Sequence, residues 1–288
     1  MPITAAAVLD RIDRMCPKDG GIASARGNSA DPMTTAQILV LANDIPQVRE
    51  RLGDRTDAAI SFLEAQQQHD GRWLREGDDW HTSITAWATL ALSLYATSSR
   101  RSVEAGTSWL TERQTVGGGF SQSDAEPEPN TYSTSYAVAA LHNVGGAAQR
   151  VNDGLNWLVS HQDPAGGFGD SYSVQSGSDP SLTAYVAHAL SHLSDEAATS
   201  CIDQCASFIA SSARPSGAWE AWYEDTDSVE GTAASLRVLL QSPEKHENQI
   251  KAGFEYLHST VDIDAMENWI VVSLAYLLPG DTDGQLGR

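Results

Sequence analysis

The sequence is short of basic charge: 18 lysines and arginines stand against 38 aspartates and glutamates, a net charge of −20. A chain this acidic is repelled by nucleic-acid phosphates and by anionic membrane surfaces, which argues against both as partners. Cysteine is scarce too. Cys16, Cys201 and Cys205 make no disulfide framework, and reduced thiols are the simpler expectation. No apolar run approaches the length of a membrane span. Met1 to Cys16 carries no basic-then-apolar signal pattern, so a cytoplasmic location is expected. The apolar share, 41%, is ordinary for a packed core and argues against disorder.

What the chain does have is repetition. An aromatic residue, a leucine, a glutamine and then Gly-x-aromatic recur in phase. They read Phe62-Leu63, Gln67, Gly71 and Trp73; Trp109-Leu110, Gln114, Gly118 and Phe120; Trp157-Leu158, Gln162, Gly166 and Phe168. A fourth copy, Phe208-Ile209, Gly217 and Trp219, has Ala213 in place of the glutamine. A threonine backed by small and apolar residues follows each mark, at Thr85, Thr134, Thr183 and Thr232, with a fifth at Thr35. Successive threonines are 50, 49, 49 and 49 residues apart. Such a period signals stacked supersecondary units that share one core.

Within a unit, Gly154 to His161 reads as an amphipathic helix. The stretch Asp163-Pro164-Ala165-Gly166-Gly167 stops it. Asp179 and Pro180 then open a second helix as N-cap and first helical residue. Its body, Thr183 to Leu190, is apolar on nearly all sides, which predicts burial on all sides. Five clear units and a degenerate sixth (Gly253 to Leu257, then Trp269 to Leu274) predict an all-α protein. Residues 1–288 are expected to form a single α/α toroid of six helix pairs in an inner and an outer ring. Its repeats of about 49 residues start near 4, 55, 104, 152, 203 and 250. An open superhelix is the other architecture such pairs can build. A closed ring is preferred because no polar capping repeat stands at either end.

From about Gly20 to Leu277 these marks resemble the QW repeats of squalene–hopene and oxidosqualene cyclases, and the Gly-Gly-Phe variant resembles the β-subunit repeat of protein prenyltransferases. The resemblance implies a toroid and, for its function, a class II terpene cyclase of the single-domain kind. Such an enzyme protonates a linear isoprenoid or meroterpenoid in a central cavity. The marks themselves are read as structural, with each glutamine capping a neighbouring helix end and each glycine permitting a tight turn.

In the cyclases an Asp-x-Asp-Asp-Thr motif supplies the acid through its middle aspartate. That motif is absent here. Only Glu230 puts a carboxyl at the equivalent position, two residues before Thr232. Its bland alternative is a capping box with Asp227 as N-cap. The other candidate acids are Asp31 and Asp179, for which N-capping before proline is the simpler role, and the pair Asp78 and Asp79, whose proximity shifts proton affinity. The acidic run Glu224, Asp225, Asp227 is a solvated loop or a divalent-cation ligand set. Candidate substrate-lining residues are Trp80, His81, Trp87, Tyr132, Tyr136, Tyr172, Tyr185, Trp222 and Trp269, whose ring faces would stabilise carbocations.

No metal site and no cofactor are expected, except Mg²⁺ if the substrate carries a diphosphate. The expected partner is a small hydrophobic isoprenoid. Prenyltransferase chemistry is disfavoured: its zinc site needs Asp, Cys and His at the rim, whereas Cys201 and Cys205 fall on an outer helix. The rim loops also offer a diphosphate only Arg26, Arg72 and Arg75. Two further readings stay open. One is a non-catalytic toroid that binds a hydrophobic ligand or a partner protein. The other is an α/α-barrel glycosidase or lyase, which needs two carboxyls roughly 5–10 Å apart across a groove.

Overall fold

The computed structural model describes residues 3–95, 100–169, 177–222 and 224–278. Six helices form an inner ring: α2 (Pro32–Asp44), α5 (His81–Leu94), α7 (Thr131–Val144), α9 (Pro180–Leu190), α11 (Val229–Leu239) and α13 (Asn268–Ala275). Around them lie α1 (Ala5–Met15), α4 (Arg55–Gln66), α6 (Arg100–Arg113), α8 (Ala148–His161), α10 (Glu196–Ser211) and α12 (Glu247–Thr260), with the short α3 (Pro46–Leu52) after α2. The architecture is the expected α/α toroid. Each inner helix packs on the next, and α13 returns to pack on α2 and α1. No helix of the described residues is long and apolar enough to cross a membrane.

The division into rings follows from the side chains. From Thr82 to Leu92 every residue of α5 is buried, and α7 is buried from Thr131 to Leu141. In α8 only Val151, Gly154, Leu155 and Leu158 are buried, one stripe at helical spacing. Closure of the ring is bolted by polar contacts between its ends. Arg11 on α1 donates to Asn268 Oδ1 at 2.6 Å and to the Met266 carbonyl at 3.2 Å. The Asn268 backbone and side-chain amides donate to the Ser24 and Ala23 carbonyls.

The two sequence marks prove to be halves of one device. Each marker threonine sits in the first turn of an inner helix, and its hydroxyl accepts the backbone N–H of the aromatic residue that ends the preceding turn. Thr85 accepts from Trp73 at 3.1 Å, Thr134 from Phe120 at 2.9 Å, Thr183 from Phe168 at 2.8 Å and Thr232 from Trp219 at 3.1 Å. Thr35 does the same for Ile22 at 2.9 Å. These N–H groups are buried, so an alternative without the hydroxyl leaves them unsatisfied.

The glutamines act differently from the expected helix-end capping. Gln67 Nε2 donates to its own turn at Gly71 O (2.8 Å) and to Ser102 O of the next outer helix (2.9 Å). Gln114 and Gln162 repeat this with Arg150 O and Cys201 O. Those acceptors lie inside α6, α8 and α10 rather than at their C-terminal ends. The side chain therefore staples adjacent outer helices together through carbonyls already within the helix.

One element was not foreseen. A two-stranded hairpin, β1 (Trp219–Ala221) and β2 (Glu224–Ser228), stands where a loop was read, with Trp219 paired to Ser228. It delivers the chain to α11 at the rim of the ring.

Candidate active site

Outer helices return the chain, so all six inner helices start at the same rim. Inside the ring lies a cavity of about 960 Å³, at the upper end of the usual range for small-molecule sites. Its aromatic wall comes from positions set by the repeat. Trp87, Tyr136 and Tyr185 each lie two residues after a marker threonine, and all three line the cavity. Tyr132 and Glu230 each lie two residues before one, and they line it too. The rings meet one another: Trp87 stacks on Tyr136 with centroids 4.2 Å apart, and Trp80 meets Trp222 edge-on at 5.3 Å. Tyr132 sits among Trp80, Tyr185 and Trp222, and its hydroxyl accepts Trp87 Nε1–H at 3.1 Å.

Glu230 is the one candidate acid that lines this cavity. It accepts a hydrogen bond at Oε1 from the Tyr185 hydroxyl. Removal from water pushes its carboxyl up from 4.5 to about 7, and Asp179 and Glu224 add to the rise, while the Tyr185 bond opposes it. The capping-box alternative fails on register. Ser228, not Asp227, is the N-cap of α11 and accepts from Gly231 N–H at 3.3 Å. Asp227 belongs to β2 because that strand runs on to Ser228, leaving the Glu230 side chain free to point at Tyr185.

The remaining acids are engaged elsewhere. Asp31 caps α2, with its oxygens accepting from the Thr34 N–H and hydroxyl at 2.9 Å each. Asp179 caps α9, accepting from Leu182 N–H at 2.8 Å and the Ser181 hydroxyl at 2.9 Å. Burial raises both carboxyls against these bonds. Asp78 pairs with Arg75 and caps Trp80 N–H at 2.9 Å. Asp79 points to solvent, 4.0 Å from His81 Nε2, so the two neighbouring aspartates do not share a site. Arg214 gathers Glu220, Asp225 and Asp227, which gives the acidic run of β2 a cation of its own and makes it a poor divalent-ion site.

Of the lining candidates, Trp80, Trp87, Tyr132, Tyr136, Tyr185, Trp222 and Trp269 border the cavity. His81 is half-buried beside Asp79 and stands outside it. Tyr172 lies outside the described residues.

Some lining residues have another role in the sequence reading or none: Glu224 and Asp227 read as a solvated loop or cation ligands, and Glu267, His188 and Arg237 are not singled out. Glu224, Asp227 and Glu267 border the cavity, and the Glu267 carboxylate accepts Trp269 Nε1–H at 2.5 Å. Five residues after a marker threonine, nearer the C-terminal ends of the inner helices, stand His188 and Arg237. Tyr136 Oη lies 3.0 Å from His188 Nδ1. The Arg237 guanidinium lies 3.4 Å from the Tyr276 ring centroid, and burial lowers its proton affinity. Both residues interrupt otherwise apolar helix faces, and that interruption was their signal in the sequence.

A helical ring around an aromatic-walled cavity, with the Glu230 carboxyl at its rim, defines the class of the fold as an α/α toroid. The chain belongs to the prenyltransferase α/α-toroid domain family, whose model matches residues 3–171 and 166–271. No curated protein matches the sequence. Among solved structures, a protein from Actinoplanes is similar at a TM-score of 0.76 and 16% identity, covering 96% of this chain and 97% of that one. The type II terpene cyclase MstE from Scytonema is similar at 0.71 and 15%, covering 97% of each chain. That cyclase is also solved in complex with geranylgeranyl dihydroxybenzoate, its substrate. The GH76A α-1,6-mannanase from Salegentibacter is similar at 0.69 and 11%, covering 95% of this chain and 96% of that one. At these identities the common feature is the fold, and a fold hosts several chemistries.

Proposed function

We propose that this chain is a class II terpene cyclase that cyclises a linear isoprenoid or meroterpenoid by protonation, with Glu230 as the acid. The observation that carries the reading is Glu230 itself: a carboxyl held near neutrality by burial, at the rim of an aromatic-walled cavity. An acid of this affinity keeps a protonated fraction at pH 7, the condition for general-acid work. The Glu230 O–H adds its proton to a terminal alkene or epoxide of the folded substrate. The π electrons of the next double bond close a ring on the cation formed. The faces of Tyr132, Tyr136, Trp87 and Trp222 stabilise the positive charge as it moves. Water at the mouth removes one proton from the last cation and restores Glu230, so the reaction is an isomerisation with no net change in atoms.

The fold alone does not select this chemistry, since a mannanase shares it. The cavity lining favours it: its inner wall is aromatic around Glu230, whose carboxyl is raised toward neutrality, while the other lining acids, Glu224, Asp227 and Glu267, are solvent-exposed. A second reading, a toroid that binds an apolar ligand without turnover, is favoured by the missing aspartates that flank the acid in the cyclases. One experiment separates them. Purified protein is incubated in D₂O with geranylgeranyl dihydroxybenzoate and with linear polyprenols, and products are examined by mass spectrometry. Cyclisation yields an isomer carrying one added deuterium, and Glu230→Gln abolishes it. Binding with no isomer formed would establish the non-catalytic toroid. Unchanged turnover in Glu230→Gln would remove Glu230 from the mechanism.

A further inference from the structure

Independently of the cyclase reading, the opposite end of the ring carries a cluster with a different chemistry. Asp44 ends α2, while His188 and His192 lie in the last turn of α9 and just beyond it. In the cyclic order α2, α5, α7, α9, α11, α13, these two helices face each other across the ring. One ligand-capable atom from each of Asp44, His188 and His192 lies within 4.8 Å of the other two. His188 Nε2 is 3.8 Å from Asp44 Oδ2, too far for a hydrogen bond. The His188 side chain is 2% exposed, yet its Nε2 has no hydrogen-bond partner, and His192 Nε2 is likewise buried without one. Buried imidazole nitrogens left unpaired are costly and call for an explanation.

We infer that Asp44, His188 and His192 form a site for a transition-metal dication of the zinc type at the C-terminal end of the inner ring, where His188 is the member that also lines the cavity. Ligands of a tetrahedral zinc at about 2.0–2.1 Å stand about 3.3 Å from one another, so the observed separations close onto one ion with small side-chain rotations. His192 lies past the end of α9, in a turn whose His192 N–H donates to the Ala189 carbonyl at 3.3 Å, and this turn brings its imidazole beside that of His188. Their rings are 5.1 Å apart. A metal on His188 Nε2 leaves its Nδ1–H to donate to Tyr136 Oη at 3.0 Å, the outer contact that orients metal-bound imidazoles. Asp44 Oδ1 accepts from Asn43 Nδ2 at 3.2 Å, while Oδ2 lies 3.8 Å from His188 Nε2. Two nitrogens and one carboxylate select zinc, cobalt or nickel over calcium or magnesium, which take oxygen ligands. Arg237 and Tyr276 are the charged and titratable groups that face the cluster from α11 and the end of α13. Arg237 opposes a cation, so the affinity rests on the imidazoles rather than on net charge. The inference departs from the expectation of a metal-free protein drawn from the sequence.

The test is equilibrium binding of Zn²⁺ to the chelator-treated full chain at pH 7.5, with Co²⁺ as a spectroscopic probe of the ligand set. One equivalent binds, and Co²⁺ gives the visible bands of a low-coordinate nitrogen–oxygen site. His192→Gln and Asp44→Asn, each first shown by circular dichroism to be folded without metal, weaken binding at least roughly 10–100-fold, the scale seen even for outer partners. Wild-type affinity in either variant, or no stoichiometric uptake by the wild type, overturns the site. Ions held by the other histidines give binding that neither variant changes, and that result counts against the inference.

Discussion

Tyr185 on α9 donates its hydroxyl hydrogen to Glu230 Oε1 on α11, joining two neighbouring inner helices at the rim of the cavity. The bond works against burial. Loss of water drives the Glu230 carboxyl up, and the phenol, by stabilising the ionised form, holds it to about 7 rather than higher. Burial above all, then the charge of Glu230 and the bond to it, raise the Tyr185 hydroxyl in turn.

The pair makes a prediction for the pH profile of turnover. If Glu230 acts as an acid, the rate is level at low pH and falls about tenfold per pH unit above about 7. Tyr185→Phe removes the bond that favours the carboxylate. The descending limb then moves to higher pH, with the rate at its acid plateau changed far less. A limb that stays in place, or moves to lower pH, removes the assigned role of the phenol.

Glu230 also makes a prediction for stability. Its folded affinity lies above that of an unfolded glutamate, so the folded state binds more protons between pH 4.5 and about 7. Stability from this group is therefore greatest below pH 4.5 and is lost as pH rises through about 7. A change from 4.5 to about 7 corresponds to about 3 kcal/mol. Glu230→Gln avoids the buried charge. It is expected to be more stable than the wild type by up to about 3 kcal/mol at pH 8 and nearly equal to it at pH 4. Urea unfolding at the two pH values measures the difference, and equal stability at pH 8 would place the carboxyl in water.

The sequence made the ring, the pairing of helices and the rim position of Glu230 legible because all three are set by one period. Counting two residues before or after each threonine reaches Tyr132, Glu230, Trp87, Tyr136 and Tyr185, all cavity residues. The failures have local causes. Asp227 and Ser228 are equally good N-cap residues, and only the pairing of Trp219 with Ser228 decides between them. The β1–β2 hairpin escaped because Glu224 to Asp227 lacks an apolar alternation. His188 and Arg237 were hidden by averaging, since one polar group barely alters a helix that is otherwise apolar throughout.

The repeat glycines predict a sharp contrast between neighbours. Gly118 has φ +96°, and a Cβ there would lie 2.5 Å from the Asp153 carbonyl oxygen of the next outer helix. That oxygen is backbone and has no side chain to move aside. Gly118→Ala therefore combines an unfavourable backbone conformation with a clash, and a loss of at least about 2 kcal/mol is expected. At Gly117 the nearest atom to a new Cβ is Thr115 Oγ1 at 3.9 Å, so Gly117→Ala changes stability by less than about 0.5 kcal/mol. Equal effects at the two positions would mean that the turn does not press against α8 as described.

The marker threonine can be tested by removing only its hydroxyl. Thr134 is fully buried, and its Oγ1 accepts Phe120 N–H at 2.9 Å. Thr134→Val keeps the shape of the side chain and leaves that N–H buried without an acceptor. The expected cost is about 1–3 kcal/mol, the range for an orphaned buried donor. It should appear as a lower urea midpoint with an unchanged m value, because the fold and its buried area stay the same. Ser in its place keeps the acceptor and should recover most of the loss, apart from about 1 kcal/mol for the missing methyl group. Were Val as stable as Thr, the hydroxyl would be dispensable. The 49-residue recurrence of threonine would then have to come from backbone preference rather than from this bond.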